Sequence, residues 1–260
     1  MAFRRKLTVV VAAVSLTLGP TPATAAAATE LQVMTWNIHG EDLNVAGVAS
    51  VIRQYGIDVV TVQEIHRRPE WDQVAELAAA LGWQLGTNVH FGRGDNPGPC
   101  DDEWAGDAGN AVLSRFPIVE RVTKALSPAS QDCPVRRSLA GVRLDVNGAA
   151  LRVFTTHLTP GHGTAATALR RDQATTIAQY LTQSGPILFT GDLNDPPGSP
   201  TTALFTSRGW LDTGGRYANQ PTLGTARIDY IWSRSVTVLS GQVPSPGYSD
   251  HRPVIMNIRV

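Results

Sequence analysis

Strand-length apolar runs alternate with helix-spaced apolar patterns along almost the whole of this chain, and no other feature narrows the possible fold as far. Residues 31–36, 57–62, 111–113, 118–122, 139–146, 151–156, 186–190, 228–232, 236–239 and 254–258 read as strands. Between Asn44 and Gly56 the spacing turns helical. Val45, Val48, Val51, Ile52 and Tyr55 recur at three and four, Asn44 stands where a cap is needed, and Gly56 stands where the helix must stop. Further helices are predicted over 71–81, ended by Gly82, over 165–181, and around 202–206. Asn147-Gly148 joins two strand runs as a hairpin turn. The stretch 92–109 is rich in Gly, Pro and Asp and reads as a loop. Helical crossovers and hairpins occur together, which implies mixed sheets covered by helices.

A leader precedes this pattern. Arg4, Arg5 and Lys6 are followed by an apolar run over 7–18, then Gly19-Pro20 and the small-residue site Ala23-Thr24-Ala25. That order is a secretory signal peptide, with cleavage expected near Ala25, and the run is too short to span a bilayer. Residues 26–260 then form one expected domain, long enough for a substantial core. Removing 1–25 takes three of the 22 basic residues and none of the 22 acidic ones, leaving 19 against 22 and a net charge of −3. Such a chain has no general attraction for a polyanion. Cys100 and Cys133 are the only two cysteines. In an exported chain they are expected to pair as a disulfide.

The chemistry gathers at the strand ends. Asn37 follows Val-Met-Thr-Trp, Glu64 follows Asp-Val-Val-Thr-Val-Gln, and His157 follows Val-Phe-Thr-Thr. Asp192 and Asn194 follow Ile-Leu-Phe-Thr-Gly. Carboxyl ends of strands are where open sheets place their ligand crevices. Asp229 and the pair Asp250-His251 instead precede apolar runs, so they reach the same rim if those strands run antiparallel to the others. Hard oxygen donors of this kind suit Mg²⁺ or Mn²⁺. Phosphoester cleavage requires charge neutralisation on the non-bridging oxygens, an oriented water and a proton path. A metal, two histidines and amide donors supply all three, and an Asp-oriented His is a suitable base near neutral pH.

These same residues carry a resemblance. The segments Met34–Gly40, Val62–Ile65, Gly109–Ile118, Thr156–Leu158, Gly191–Asn194, Ile228–Ile231 and Ser249–His251 resemble, in order, the motif series of the endonuclease/exonuclease/phosphatase superfamily. The resemblance implies an α/β four-layer sandwich, α/β/β/α, with the site between the two sheet edges. It implies a phosphoester hydrolase using water activated at Mg²⁺ or Mn²⁺ rather than a covalent enzyme nucleophile. Glu64 resembles the principal metal ligand, Asn37 a neighbouring metal- or phosphate-contacting amide, and Asp250 an additional metal-side ligand. His251 resembles the general base oriented by Asp229, while Asp192 and Asn194 resemble the residues that position water and phosphate. Either His251 or Asp192 takes the water's proton. His157 is similar to the branch with His there, which contacts phosphate or assists the leaving group. Abasic-site endonucleases carry Tyr at that point, and Asp where this chain has His39, so abasic repair does not fit.

The remaining candidates are weaker in kind. Asn110 is a phosphate contact or a turn residue, and His162, in Thr-Pro-Gly-His-Gly, a substrate contact from a loop. Arg136, Arg137, Arg170 and Arg171 could bind anions, with solvation as the default for most of them. Trp36 and Trp232 read as core aromatics. No Gly-x-Ser-x-Gly elbow, Walker-type loop or Cys-x-x-Cys pair occurs. The expected activity is that of a secreted, monomeric phosphodiesterase of nuclease type, with phosphoester partners that are nucleic acid, a phospholipid headgroup or a small phosphoester. The alternatives are a sphingomyelinase-like lipid-headgroup hydrolase, a phosphomonoesterase, or a non-catalytic binding module. The long loop is polar apart from Trp104, which disfavours a membrane-docking hairpin.

Overall fold

In the computed structural model, residues 28–40, 43–67, 72–93, 108–128 and 136–260 are described. The first half of the chain holds β1 (Glu30–Asn37), α1 (Val45–Gln54), β2 (Val59–His66), α2 (Gln73–Leu81), α3 (Leu85–Asn88), β3 (Val89–Arg93), β4 (Ala108–Ser114) and β5 (Ile118–Pro128). The second half holds β6 (Arg136–Val146), β7 (Ala149–His157), α4 (Thr164–Tyr180), β8 (Ile187–Asp192), α5 (Pro200–Ser207) and β9 (Leu211–Asp212). After these come α6 (Thr213–Tyr217), β10 (Asp229–Arg234), β11 (Thr237–Gln242) and β12 (Val254–Arg259).

The strands form two six-stranded mixed sheets, ordered β11-β12-β1-β2-β4-β3 and β5-β6-β7-β8-β10-β9. Three apolar clusters define the layers. Leu31, Val33, Val59 and Met256 of the first sheet meet Val142, Val153, Leu188 and Ile231 of the second. The outer face of the first sheet, with Met34, Trp36, Val60 and Val62, packs on Val48, Ile52, Val74 and Leu77 of α1 and α2. The outer face of the second, with Phe154, Phe189, Tyr230 and Trp232, packs on Ile177 of α4 and Phe205 of α5. The central strands of both sheets are therefore covered on both faces. The result is the four-layer α/β/β/α sandwich, and Trp36 and Trp232 are core residues as expected.

The helices begin and end where local chemistry directs. Asn44 Oδ1 accepts from Gly47 N at 2.8 Å, Asp72 Oδ1 accepts from Ala75 N at 2.9 Å, and Gly82 closes α2 at φ 72°. Asn147 and Gly148 both take positive φ, as the tight β6–β7 hairpin demands.

Several elements depart from the sequence expectation. β3 takes Gly92 and Arg93 out of the predicted loop, and β4 takes Ala108 and Gly109. β3 reads Val-His-Phe-Gly-Arg, with no apolar run, and exists because it pairs along β4 as an edge strand. The short α3, β9 and α6 carry no periodic signal long enough to read. The expected leader 1–25, the rest of the long loop, and the Cys100–Cys133 disulfide lie outside the described residues.

Candidate active site

Along each inward-facing row, the side chains change character in the same order. In β1 the row is Leu31, Val33, Thr35, Asn37; in β7 it is Leu151, Val153, Thr155, His157; in β8 it is Leu188, Thr190, Asp192. The apolar members fill the inter-sheet core. The middle members bond across it: Thr61 and Thr190 hydroxyls lie 2.8 Å apart, and Gln63 Nε2 donates to Thr155 Oγ1 at 2.9 Å. Buried polar groups must be paired, and this layer pairs them. The last members arrive together at the rim. Registers align them: His157 lies beside Asp192, Asp192 lies opposite Asp229, and β12 runs antiparallel to β1, which brings His251 back to Asn37.

Glu64 reaches this rim through a defect in the ladder. The β2–β4 register shifts between Gln63 and Ile65, and Glu64 takes φ 59°, which is costly for a residue with a Cβ. The bulge breaks the alternation of β2 and turns the carboxylate into the cleft. Asn194 is also left-handed, at φ 51°, a conformation Asn tolerates. Its N–H donates to Asp192 Oδ1 at 2.8 Å.

Asn37 organises the acids. Its amide nitrogen donates to Glu64 Oε1 at 2.8 Å and to Asp192 Oδ2 at 3.2 Å, while its oxygen accepts from His39 N at 3.1 Å. So oriented, Asn37 holds the two carboxylates together through its amide nitrogen. His157 stands against both acids, Nδ1 3.7 Å from Glu64 Oε1 and Nε2 3.6 Å from Asp192 Oδ2. Asn194 Nδ2 donates to Leu158 O at 3.1 Å, which fixes the amide, and lies 3.0 Å from His157 Nε2. His157 Nε2 is therefore an acceptor and its proton sits on Nδ1. Burial, then the Arg137 cation and His251, holds its pKa well below the ordinary imidazole value. His157 is thus a neutral hydrogen-bond donor.

The second histidine is the opposite case. His251 Nδ1 donates to Asp229 Oδ2 at 2.9 Å, and Nε2 faces Asp192 Oδ2 at 3.8 Å. Burial opposes its charge, but Asp229, Asp192 and Asp250 outweigh burial and raise its pKa to about 9. Asp192 is pushed up to about 7 by burial and then by Asp229. Around His251 the backbone is pinned. Trp36 Nε1 donates to its carbonyl at 2.9 Å, and its N–H donates to Ser249 Oγ, which itself donates to Asn37 O.

Glu64 and Asp192 support the half-buried guanidinium of Arg137, while Asp229, Asp192 and the rim residue Asp250 support the charge of His251. Asp229 Oδ1 is buried without a hydrogen-bond partner. One protein atom each from Asp192, Asp229 and His251 lies within 4.8 Å of the others, close enough to hold a metal ion. Because Asp229 Oδ2 and His251 Nδ1 are already joined, Glu64 and Asp192 are the freer donors. An excess of hard oxygens with an orphaned carboxylate oxygen fits a divalent cation.

Not every candidate converges. Asp250 is exposed on the rim, and His162 is exposed on the loop between β7 and α4. Asn110 lies within β4, not in a turn, and its amide donates to Ser138 O at 3.1 Å, joining the two sheets. Two arginines are withdrawn from solvent where solvation is the default, Arg170 fully and Arg137 in part. Arg170 pairs with Asp195 at 3.0 Å and donates to Thr159 O and Gly161 O, tying the loop after His157 to the loop after Asn194. Arg137 is half-buried with Nε unpartnered, and its cation is opposed by burial and supported by Glu64 and Asp192. Its place on β6, one residue before the Ser138 that Asn110 holds, is visible only once the sheets are paired.

With this geometry in view, the comparisons are specific. Residues 34–251 match the model of the endonuclease/exonuclease/phosphatase family. Among solved structures, an endonuclease/exonuclease/phosphatase from Beutenbergia cavernae is 28% identical, with TM-score 0.77, covering 89% of this chain and 72% of that one. A mannosyl-6-phosphatase from Bacteroides thetaiotaomicron is 18% identical, with TM-score 0.68, covering 88% and 99%. The human Nocturnin catalytic domain with bound sulfate is 21% identical, with TM-score 0.69, covering 88% and 94%. The last two likenesses are of fold alone. Comparison with curated protein sequences returns no match.

Proposed function

This chain belongs to the endonuclease/exonuclease/phosphatase family of phosphoester hydrolases, and we propose that within it the protein is a phosphodiesterase of nuclease type dependent on Mg²⁺ or Mn²⁺. One observation carries this reading: Glu64 and Asp192 share the Asn37 amide, facing His157 and the Asp229–His251 pair. Charge favours a diester over a monoester. The guanidinium of Arg137 is supported by Glu64 and Asp192, and a diester phosphate brings one negative charge where a monoester brings up to two.

Glu64 and Asp192 would hold the cation, with Asn37 keeping them in place. When bound, the cation supplies charge neutralisation on the non-bridging phosphate oxygens. Arg137 adds a second positive contact to the same phosphate, and the Nδ1–H of His157 donates a hydrogen bond to it. The Asn194 side chain keeps His157 in that tautomer. His251, once neutral, accepts the proton of the attacking water at Nε2, and Asp229 stabilises the imidazolium that results. Asp192 is the other candidate acceptor, a role that leaves Glu64 as the principal ligand.

The proposal includes export: removal of the leader near Ala25 and pairing of Cys100 with Cys133. Among the described residues no helix is long and apolar enough to cross a membrane. The test is a Mg²⁺-supplemented panel of DNA, RNA, sphingomyelin, phosphoinositides and nucleotides, with Glu64→Ala as the blank. Turnover of DNA or RNA that drops at least about 10²-fold in the blank is expected. Turnover of monoesters or lipid headgroups alone, or a blank as active as the parent, overturns the reading.

A further inference from the structure

Beside the acids lies a second feature that the hydrolytic machinery does not use. Among the described residues the exposed large hydrophobic side chains are Leu85, Val119 and Tyr248, and of these Tyr248 alone borders the site. It is 39% exposed. Its ring rests on the first turn of α1, where a Cβ added to Gly47 would come within 2.5 Å of Cδ1 and Cε1. Any larger residue at 47 would lift the ring away, so the glycine seats the tyrosine. The uncovered part of the ring faces a cleft of about 470 Å³ lined by His39, Asn44, Gly247, Tyr248 and Ser249.

Hydrogen bonds join this cleft to the acids. Ser249 Oγ donates to Asn37 O at 2.8 Å, and His39 N donates to Asn37 Oδ1 at 3.1 Å, which holds His39 at φ 48°. Asn37 is the residue whose amide carries Glu64 and Asp192. A group in the cleft is therefore one residue removed from the phosphate position. Among the described residues the lining has an aromatic face, an imidazole, an amide and a hydroxyl, and no Lys or Arg. That chemistry suits a flat uncharged group with polar edges rather than a second phosphate.

We propose that this cleft is a nucleobase subsite, in which a base attached to the scissile phosphoester stacks on Tyr248 and presents its edge to His39, Asn44 and Ser249. The assignment rests on the phosphodiesterase reading for its substrate class, but its test does not require turnover. Calorimetric binding is measured in Mg²⁺ to a non-hydrolysable methylene-phosphonate thymidine dinucleotide and to its base-free analogue. The unaltered protein binds the base-bearing compound about 10-fold tighter or more, the scale of base–aromatic stacking. Tyr248→Ala removes most of that preference, while Tyr248→Phe and Tyr248→Trp retain it. No preference in the unaltered protein overturns the subsite. So does a Tyr248→Ala variant that weakens both ligands alike and lowers the melting midpoint, the signature of packing alone. If the base preference depends on Tyr248 but the substrate panel yields only monoester turnover, the subsite stands and the phosphodiesterase reading falls.

Discussion

Replacing His251 with alanine is expected to lower kcat by about 10²-fold or more, the usual scale for a positioned base. Asp229→Asn should lose much of the activity with the fold intact, because the imidazole loses the partner that fixes its proton on Nδ1. The sign of the pH dependence follows from the same contacts. Only neutral His251 accepts a proton, so kcat rises with pH as the imidazolium deprotonates. Asp229, Asp192 and Asp250 hold that proton up to about 9, and the positive charge of a bound cation pulls the midpoint back down. The limb therefore lies between the ordinary imidazole value of 6.5 and about 9. It should vanish in His251→Ala. If it survives there and vanishes in Asp192→Asn, Asp192 is the base. His157→Ala should cost a similar factor, and the double variant less than the product of the two.

Gly191→Ala is expected to destabilise the protein by at least about 3 kcal/mol, a drop of roughly 6–12 °C in melting midpoint for a domain of this size. Gly191 sits at φ 130°, a region that residues with a Cβ rarely enter. A methyl there would also fall inside the contact shell of the Thr156 carbonyl oxygen on β7, so β7 and β8 would have to part. His157 and Asp192 pair directly across those strands, and kcat should fall with stability. Thermal and urea unfolding check the first effect; a midpoint within about 2 °C of the parent contradicts it.

What could be read beforehand, and what could not, divides along the range of the interactions. Asn37, His157 and Asp192 end apolar runs, and strand geometry carries that pattern directly into a shared rim. The expectation that Asp229 and His251 enter on antiparallel strands holds, because β10 and β12 pair with β8 and β1 in that sense. The Glu64 bulge leaves no mark in composition, so β2 was expected to stop at 62 although pairing continues to His66. Arg137 and Arg170 look like any surface cations in a linear chain. Their surroundings are set by partners 25 to 73 residues away: Asn110 fastens the strand that bears Arg137, Glu64 and Asp192 support its charge, and Asp195 pairs Arg170. In the linear chain Asn110 reads as a phosphate contact or a turn for the same reason; its partner lies on the other sheet. Tyr248 carried no signal until Gly47 was placed beneath it.

The dependence on a divalent cation is tested most directly by stripping and restoring it. The donors are oxygens with no thiolate among them, so EDTA-treated protein should lose phosphodiester turnover and regain it on addition of Mg²⁺ or Mn²⁺. Glu64→Ala should fail to recover at the same concentration. Undiminished turnover by the chelated, metal-free protein would contradict the proposed chemistry of Glu64 and Asp192.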